Sequence, residues 1–266
     1  MELGRHISQF IKHGRALFMP TPDSIPATMR AFVLKGHGDM DQLVYHTDWT
    51  TPQPGPGEVL LKVHACGLNN TDVNTRTAWY SKGVSENATG GAFDDADDED
   101  ATWGGAAVTF PHIQGADAVG TVVATGDGAN PDLPGKRALM DVWLRDWDNP
   151  LDLDKYGYFG SECDGGFADS LKIDQRHVHL IESCLEHAEL AAFATSYVAA
   201  DNVLNRAQVL AGDTVLIPGA SGGVGSALIQ LANRRGAQTI AMASESKHDK
   251  VEKAVMSPHW VVQCDC

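Results

Sequence analysis

Apolar and polar residues alternate along this chain in two rhythms. From Met29 to about Ile181 the apolar residues fall in short runs rich in β-branched and aromatic side chains: MRAFVLK, LVYHTDWT, EVLLKVHACGL, DAVGTVVATG and HVHLI. GHGDMDQ and PQPGPG separate the first three, and such clusters of glycine, proline and aspartate are turn chemistry. The pattern predicts a compact β domain of Greek-key or barrel character. From about Glu186 the rhythm becomes helical, in LEHAELAAFATSYVAADNVLNRA.

The stretch Asp213 to Ser244, DTVLIPGASGGVGSALIQLANRRGAQTIAMAS, then predicts strand, tight turn, helix and strand. Val215 to Ile217 form the first apolar run, and Val224, Leu228, Leu231 and Ala232 follow at helical spacing. Arg234-Arg235-Gly236 suits a helix end, and Thr239 to Met242 form the second run. A βαβ unit with glycines at its first turn is the arrangement of a pyrophosphate site. Side chains at Gly222 or Gly225 would block the phosphates or the helix, and the helix N-terminus offers free N–H groups to an anion. Aligned on the dinucleotide fingerprint, the key positions are Ala220, Gly222 and Gly225, with Ser221, Gly223 and Val224 between them. The first glycine is thus an alanine, and a glycine-rich turn that binds no nucleotide is the competing reading. A helix over Lys247 to Val255 and a further run, HWVVQ, follow. A full doubly wound domain has two such halves. The sequence contains the first, so a truncated chain, or another chain covering the sheet edge, is expected.

Charge narrows the partners. With 35 acidic and 20 basic residues among 266, the formal charge is −15. That argues against nucleic acid and anionic membrane as partners, which require a basic surface. No run approaches transmembrane length. Five scattered cysteines (66, 163, 184, 264 and 266) suit a reducing, cytoplasmic setting better than a disulfide framework. Residues 1–28 form an extension in which Leu3, Ile7, Phe10 and Ile11 mix with Arg5, Lys12 and Arg15, a composition shared by amphipathic and organelle-import segments. Ser81 to Thr109 is an insertion with six acids between Asp94 and Asp100, read as a flexible surface loop or lid. The predicted divisions are 1–28, a β domain over 29–185, and a nucleotide unit over 186–266.

The order of β domain, helices and GASGGVG resembles the medium-chain dehydrogenase/reductase family. The stretches that carry the resemblance are PGPGEVLLKVHACGLNNTDVNTR, FPHIQGADAVGTVVATG, GSECDGGFADSL, AAFATSYVAADNVL and GDTVLIPGASGGVGSALIQLANRRGA. It implies a GroES-like β-barrel catalytic domain followed by a doubly wound Rossmann domain, here truncated, in an α/β plus β fold. Zinc-bearing members of the family carry ligands at positions that hold Asn69, Ala116 and Ala191 in this chain. Alanine cannot ligate and a neutral amide ligates zinc poorly. The resemblance is therefore to the zinc-free quinone oxidoreductase branch. Dimers are common in the family, so a homodimer is a further expectation.

Without a metal, an oxygen gaining negative charge needs hydrogen-bond donors, each worth about 10²–10³ in rate. Asn69, Thr71 and Tyr80 are the candidates. The resemblance gives Thr71 the family's proton-relay hydroxyl, puts Asn70 near the pyrophosphate, and puts Thr195 against the nicotinamide. Asn and Thr are also ordinary turn residues, Thr195 could bond back to its own helix, and Tyr80 could be packing. Nucleotide choice is read at the end of the second strand, where NAD enzymes place an acid about 20 residues past the glycines. Ala243 stands there, followed by Ser244, Glu245, Ser246 and Lys247. Ser244, Ser246 and Lys247 suit a 2′-phosphate, which points to NADPH, while Glu245 keeps NADH open. The expected activity is zinc-independent reduction of quinones or α,β-unsaturated carbonyls. A zinc alcohol dehydrogenase with displaced ligands, or a truncated chain without catalysis, is the alternative.

Overall fold

The computed structural model describes residues 25–84, 99–104, 107–150, 152, 155–254 and 260–263. Most of the N-terminal extension, most of the acidic run, and Cys264 and Cys266 lie outside the described residues.

The β-rich half opens with two strands, β1 (Thr28–Leu34) and β2 (Leu43–Thr50), paired antiparallel. Next come β3 (Glu58–Gly67), a short helix α1 (Asn70–Arg76), β4 (Asp117–Thr125) and β5 (Arg137–Met140). Then come β6 (Trp143–Leu144), β7 (Gly157–Tyr158), β8 (Ser170–Asp174) and β9 (Val178–Leu180). A five-stranded antiparallel sheet in the order β8-β3-β4-β5-β9 is the body of this half. Its inner face buries Val59, Leu61, Val122, Met140, Phe159 and Leu171 in one cluster. β1 adds a second, smaller cluster from Met29, Ala31, Val33 and Ile113. Alternating burial along β1 reflects the period of two that places successive side chains on opposite faces.

The helical half starts with α2 (His187–Leu190) and α3 (Ala194–Arg206). It continues with β10 (Thr214–Ile217), α4 (Gly223–Arg234), β11 (Gln238–Ala243), α5 (His248–Ala254) and β12 (Trp260–Gln263). β10, β11 and β12 pair in parallel in that order, so β11 is the central strand. Ile217, Ala220, Ile229, Ala241 and Val251 make the core between this sheet and α4. α3 joins through Leu204, which packs with Ala232 and Ala237. Among the described residues the outer edge of β10 pairs with no strand, and Leu216 on it is 56% exposed. This is the open apolar edge expected from half a doubly wound sheet.

Two contacts fix the halves together around one place. Gly67, at the end of β3, is packed so closely that a β-carbon would lie 2.3 Å from the carbonyl oxygen of Ala191, just past α2. At the start of α3, the Thr195 N–H donates to Asp117 Oδ1 at 2.6 Å. The insertion over 81–109 is anchored at its exit: Ala101 and Thr102 are buried, and Trp103 meets the Trp143 ring edge-on at 4.5 Å.

Candidate functional site

The site is built where β3 ends. The sequence NTDVNTR has no apolar stripe, yet it folds as α1 because its ends are satisfied. Asn69 is the N-cap: its Oδ1 accepts from the Thr71 N–H at 3.5 Å, and its own N–H donates to Asp72 Oδ2 at 2.8 Å. This reciprocal capping box supplies partners for N–H groups that a helix start leaves unpaired. Arg76 is buried and its guanidinium donates to the Gly38 carbonyl, which ties the helix end to the β1–β2 connection. Arg76 is therefore an anchor of α1.

Three of the expected residues meet on this turn. Thr71 is buried, and its Oγ1 accepts from the Tyr80 hydroxyl at 3.0 Å. Asn69 Nδ2 donates to Asp117 Oδ2 at 3.4 Å, which leaves its second amide hydrogen for another acceptor. Asn70 is exposed at the first position of α1.

Asp117, at the start of β4, joins this turn to α3. Besides Asn69 it takes the Thr195 N–H, and these bonds partly offset a burial that raises its carboxyl above the usual range. The Thr195 hydroxyl lies 2.6 Å from the hydroxyl of Tyr158, a residue only 6% exposed. Sequence reasoning missed both Asp117 and Tyr158. The one signal for Asp117 is an acid opening the otherwise apolar strand DAVGTVVAT. Tyr158 lies in a two-residue strand and gives none.

Asp72 adds a second buried carboxyl. Burial pushes it up to about 7, while the N–H of Asn69 pulls down and the charge of Asp117 pushes up. A raised native value means that the folded protein keeps a proton the unfolded chain has released. Stability then falls as pH rises from the ordinary carboxylate range, 3.8, toward about 7. Asp72→Asn keeps an oxygen for the Asn69 N–H and should flatten that decline. Urea midpoints at pH 5 and pH 8 measure it, and equal slopes for variant and parent would refute the burial argument.

The glycine turn lies at the other end of the same helix contact. Gly219 adopts φ +62° and makes the sharp reversal after β10, so the turn's special backbone falls one residue before Ala220. Ala220 itself is fully buried, its side chain in the core under the sheet. Ser221 is half-buried, while Gly222, Gly223 and Val224 are exposed at the N-terminus of α4, whose first N–H groups have no intrahelical partner. Gly222 is the N-cap with no side-chain cap. A β-carbon on Gly223 would come within 2.6 Å of Ser196 Oγ, so the turn presses on the residue next to Thr195. At the end of β11, Ser244 Oγ is 3.4 Å from Ser246 Oγ, and Ser246 and Lys247 are exposed. His248, which sequence reading passed over, stands beside them with Nε2 3.2 Å from the Ala243 carbonyl. These groups fit a dinucleotide: N–H donors of the first turn of α4 at a glycine-rich turn for phosphates, and two hydroxyls and an ammonium at the strand end for a 2′-phosphate.

The positions matched to zinc ligands do not fit a metal. Ala116 and Ala191 are buried methyl groups, and the Asn69 side-chain oxygen, the atom that could ligate, accepts from the Thr71 N–H. Among the described residues no three His, Cys, Asp or Glu side chains cluster as a metal would require. A cavity of about 380 Å³ lies elsewhere, bounded by Met29, Trp49, Ile113, Cys163 and Lys172, and contains none of the site residues. No helix among the described residues is long and apolar enough to cross a membrane.

Comparison with known proteins bears on this geometry. The family profile described as "Alcohol dehydrogenase GroES-like domain" matches residues 55–183. Human quinone oxidoreductase is 27% identical over 224 residues, which cover 84% of this chain and 55% of that protein. The tomato 2-methylene-furan-3-one reductase is 26% identical over 227 residues, 85% of this chain and 50% of its own length. A solved structure from Sinorhizobium meliloti, assigned as an alcohol dehydrogenase, is 38% identical with a TM-score of 0.77, over 91% of this chain and 64% of that one. The chain thus spans about half the length of the curated relatives it matches. With the β domain, the βαβ unit and the turn at Asn69 in place, the chain carries an alcohol dehydrogenase GroES-like domain and is similar to members of the medium-chain dehydrogenase/reductase family, whose members are pyridine-nucleotide-dependent oxidoreductases.

Proposed function

We propose that the protein is a zinc-independent, NADPH-preferring oxidoreductase that reduces quinones or α,β-unsaturated carbonyls. The observation that carries this reading is the continuity of the site. Gly223 touches Ser196, the neighbouring Thr195 bonds to Asp117, and Asp117 holds Asn69 beside the Thr71–Tyr80 pair. One path therefore leads from a phosphate turn to a group of neutral donors. The names of the human and tomato relatives, a quinone oxidoreductase and an enone reductase, support the acceptor class.

When bound, NADPH supplies the hydride. The free amide hydrogen of Asn69 and the hydroxyl of Thr71 would steady the oxygen that becomes negative as the acceptor is reduced. Tyr80, donating to Thr71 Oγ1, leaves the Thr71 proton free to point outward, so Thr71 can pass a proton to that oxygen and recover it through Tyr80 or solvent. NADPH oxidation with a quinone and with an enone, before and after chelator, tests the reading. Activity that survives chelation supports it. Loss of activity would favour the alternative, a zinc alcohol dehydrogenase with displaced ligands.

The preference for NADPH rests on Lys247 with Ser244 and Ser246. A charge-assisted hydrogen bond contributes roughly 1.5–3 kcal/mol, and its exposed position puts Lys247 at the low end. Lys247→Ala should raise KM for NADPH about tenfold and leave KM for NADH unchanged. Equal effects on both cofactors would count against the 2′-phosphate assignment.

A further inference from the structure

We propose that Tyr158 is a positioning residue for the nicotinamide end of the site, locking the Thr195 hydroxyl as an acceptor for an N–H donor, the carboxamide of the cofactor. The inference rests on the dinucleotide reading above.

The Tyr158 ring is fixed without its hydroxyl. It packs against Ala116, Val142 and Ala194, meets Trp143 edge-on at 6.2 Å, and its backbone N–H donates to Glu162 Oε2 at 2.5 Å. Ala116 is a position where zinc-bearing relatives carry a ligand, and here its small side chain leaves the adjoining space to the ring. Burial pushes the phenol well above its ordinary range, so it stays a neutral O–H donor at every working pH.

The hydrogen-bond inventory then sets directions. Asp117 accepts the Thr195 N–H and so fixes the backbone from which the Thr195 hydroxyl projects. A phenol O–H is the stronger acid and an aliphatic hydroxyl oxygen the better acceptor, so at the 2.6 Å contact Tyr158 O–H donates to Thr195 Oγ1. A hydroxyl oxygen has two lone pairs. Tyr158 takes one, and the other is presented in a fixed direction to a donor from outside. Thr195 lies beside Ser196, which touches the phosphate turn at Gly223, so a dinucleotide on that turn brings its far ring toward Thr195. On a nicotinamide ring the N–H donor is the carboxamide.

Binding, rather than turnover, tests this. The probes are NADP⁺ and its 3-acetylpyridine analogue, in which a methyl replaces the carboxamide nitrogen, with dissociation constants measured by calorimetry. The parent protein should bind NADP⁺ about tenfold more tightly than the analogue, the value of one good hydrogen bond. Tyr158→Phe keeps the ring and its packing, and should cut that ratio to about threefold or less while melting within a few degrees of the parent. Thr195→Ser keeps the hydroxyl and should retain the ratio, whereas Thr195→Val should lose it. A Tyr158→Phe protein with undiminished discrimination overturns the role of Tyr158 and leaves the dinucleotide reading standing. A parent protein that binds neither dinucleotide overturns both.

Discussion

Gly225→Ala should abolish measurable dinucleotide binding and lower the melting temperature by about 10 °C or more. Gly225 is buried in the first turn of α4, where a β-carbon would lie 2.5 Å from the Gly219 carbonyl oxygen and 2.7 Å from the Ala220 α-carbon. Both are backbone atoms of the same tight turn, so no side chain can swing away to make room. Overpacking typically costs about 1–3 kcal/mol, and a clash against backbone belongs at the upper end. Each kcal/mol shifts a domain of this size by roughly 2–8 °C. Gly222→Ala makes a sharp control. Its β-carbon would meet only the Gly219 oxygen at 3.3 Å, so the fold should tolerate it. The methyl would still stand at the mouth of the phosphate turn, and binding should weaken while the melting curve barely moves. Circular dichroism melts and calorimetric titration with NADPH separate the two effects. A Gly225→Ala protein that melts like the parent would show that the turn has more slack than its contacts indicate.

Asp117→Ala should lower kcat/KM for NADPH-dependent reduction by about 10²–10³, the usual loss when a preorganised group leaves a site. Thr195 N–H and Asn69 Nδ2 both lose their shared acceptor, so both ends of the site loosen together. Stability should change much less than activity. Stranding the Thr195 N–H costs about 1–3 kcal/mol, but removing a buried carboxylate also relieves its desolvation. Asp117→Asn retains one carbonyl oxygen and should fall between. Steady-state kinetics beside thermal melts give the comparison, and near-parental turnover in Asp117→Ala would rule out the carboxylate as the link between Asn69 and Thr195.

How much of this was legible in the sequence depends on whether a feature is local. β2 at Leu43–Thr50 coincides with the run LVYHTDWT, and β10, α4 and β11 follow the apolar periodicity of Asp213 to Ser244. These elements carry their own burial pattern. α1 did not announce itself, because NTDVNTR is polar and its order comes from the capping box and the buried Arg76. β5, only RALM, and β7, only Gly157–Tyr158, exist because a partner strand holds them. The same divide runs through the site. Asn69 and Thr71 could be found because a short motif places them, and Tyr80 follows on the adjoining turn. Tyr158 meets Thr195 across 37 residues and Asp117 meets it across 78, distances over which no periodicity reaches.

The first turn of α3 is wedged between two very different neighbours: Ser196 against the glycine turn, and Thr195 against Asp117. That puts one turn of helix between the two ligand sites proposed above. Whatever factor dinucleotide occupancy imposes on affinity for the electron acceptor, the acceptor must return in equal measure to the dinucleotide. The order in which the two ligands arrive would then leave the strength of the ternary complex untouched.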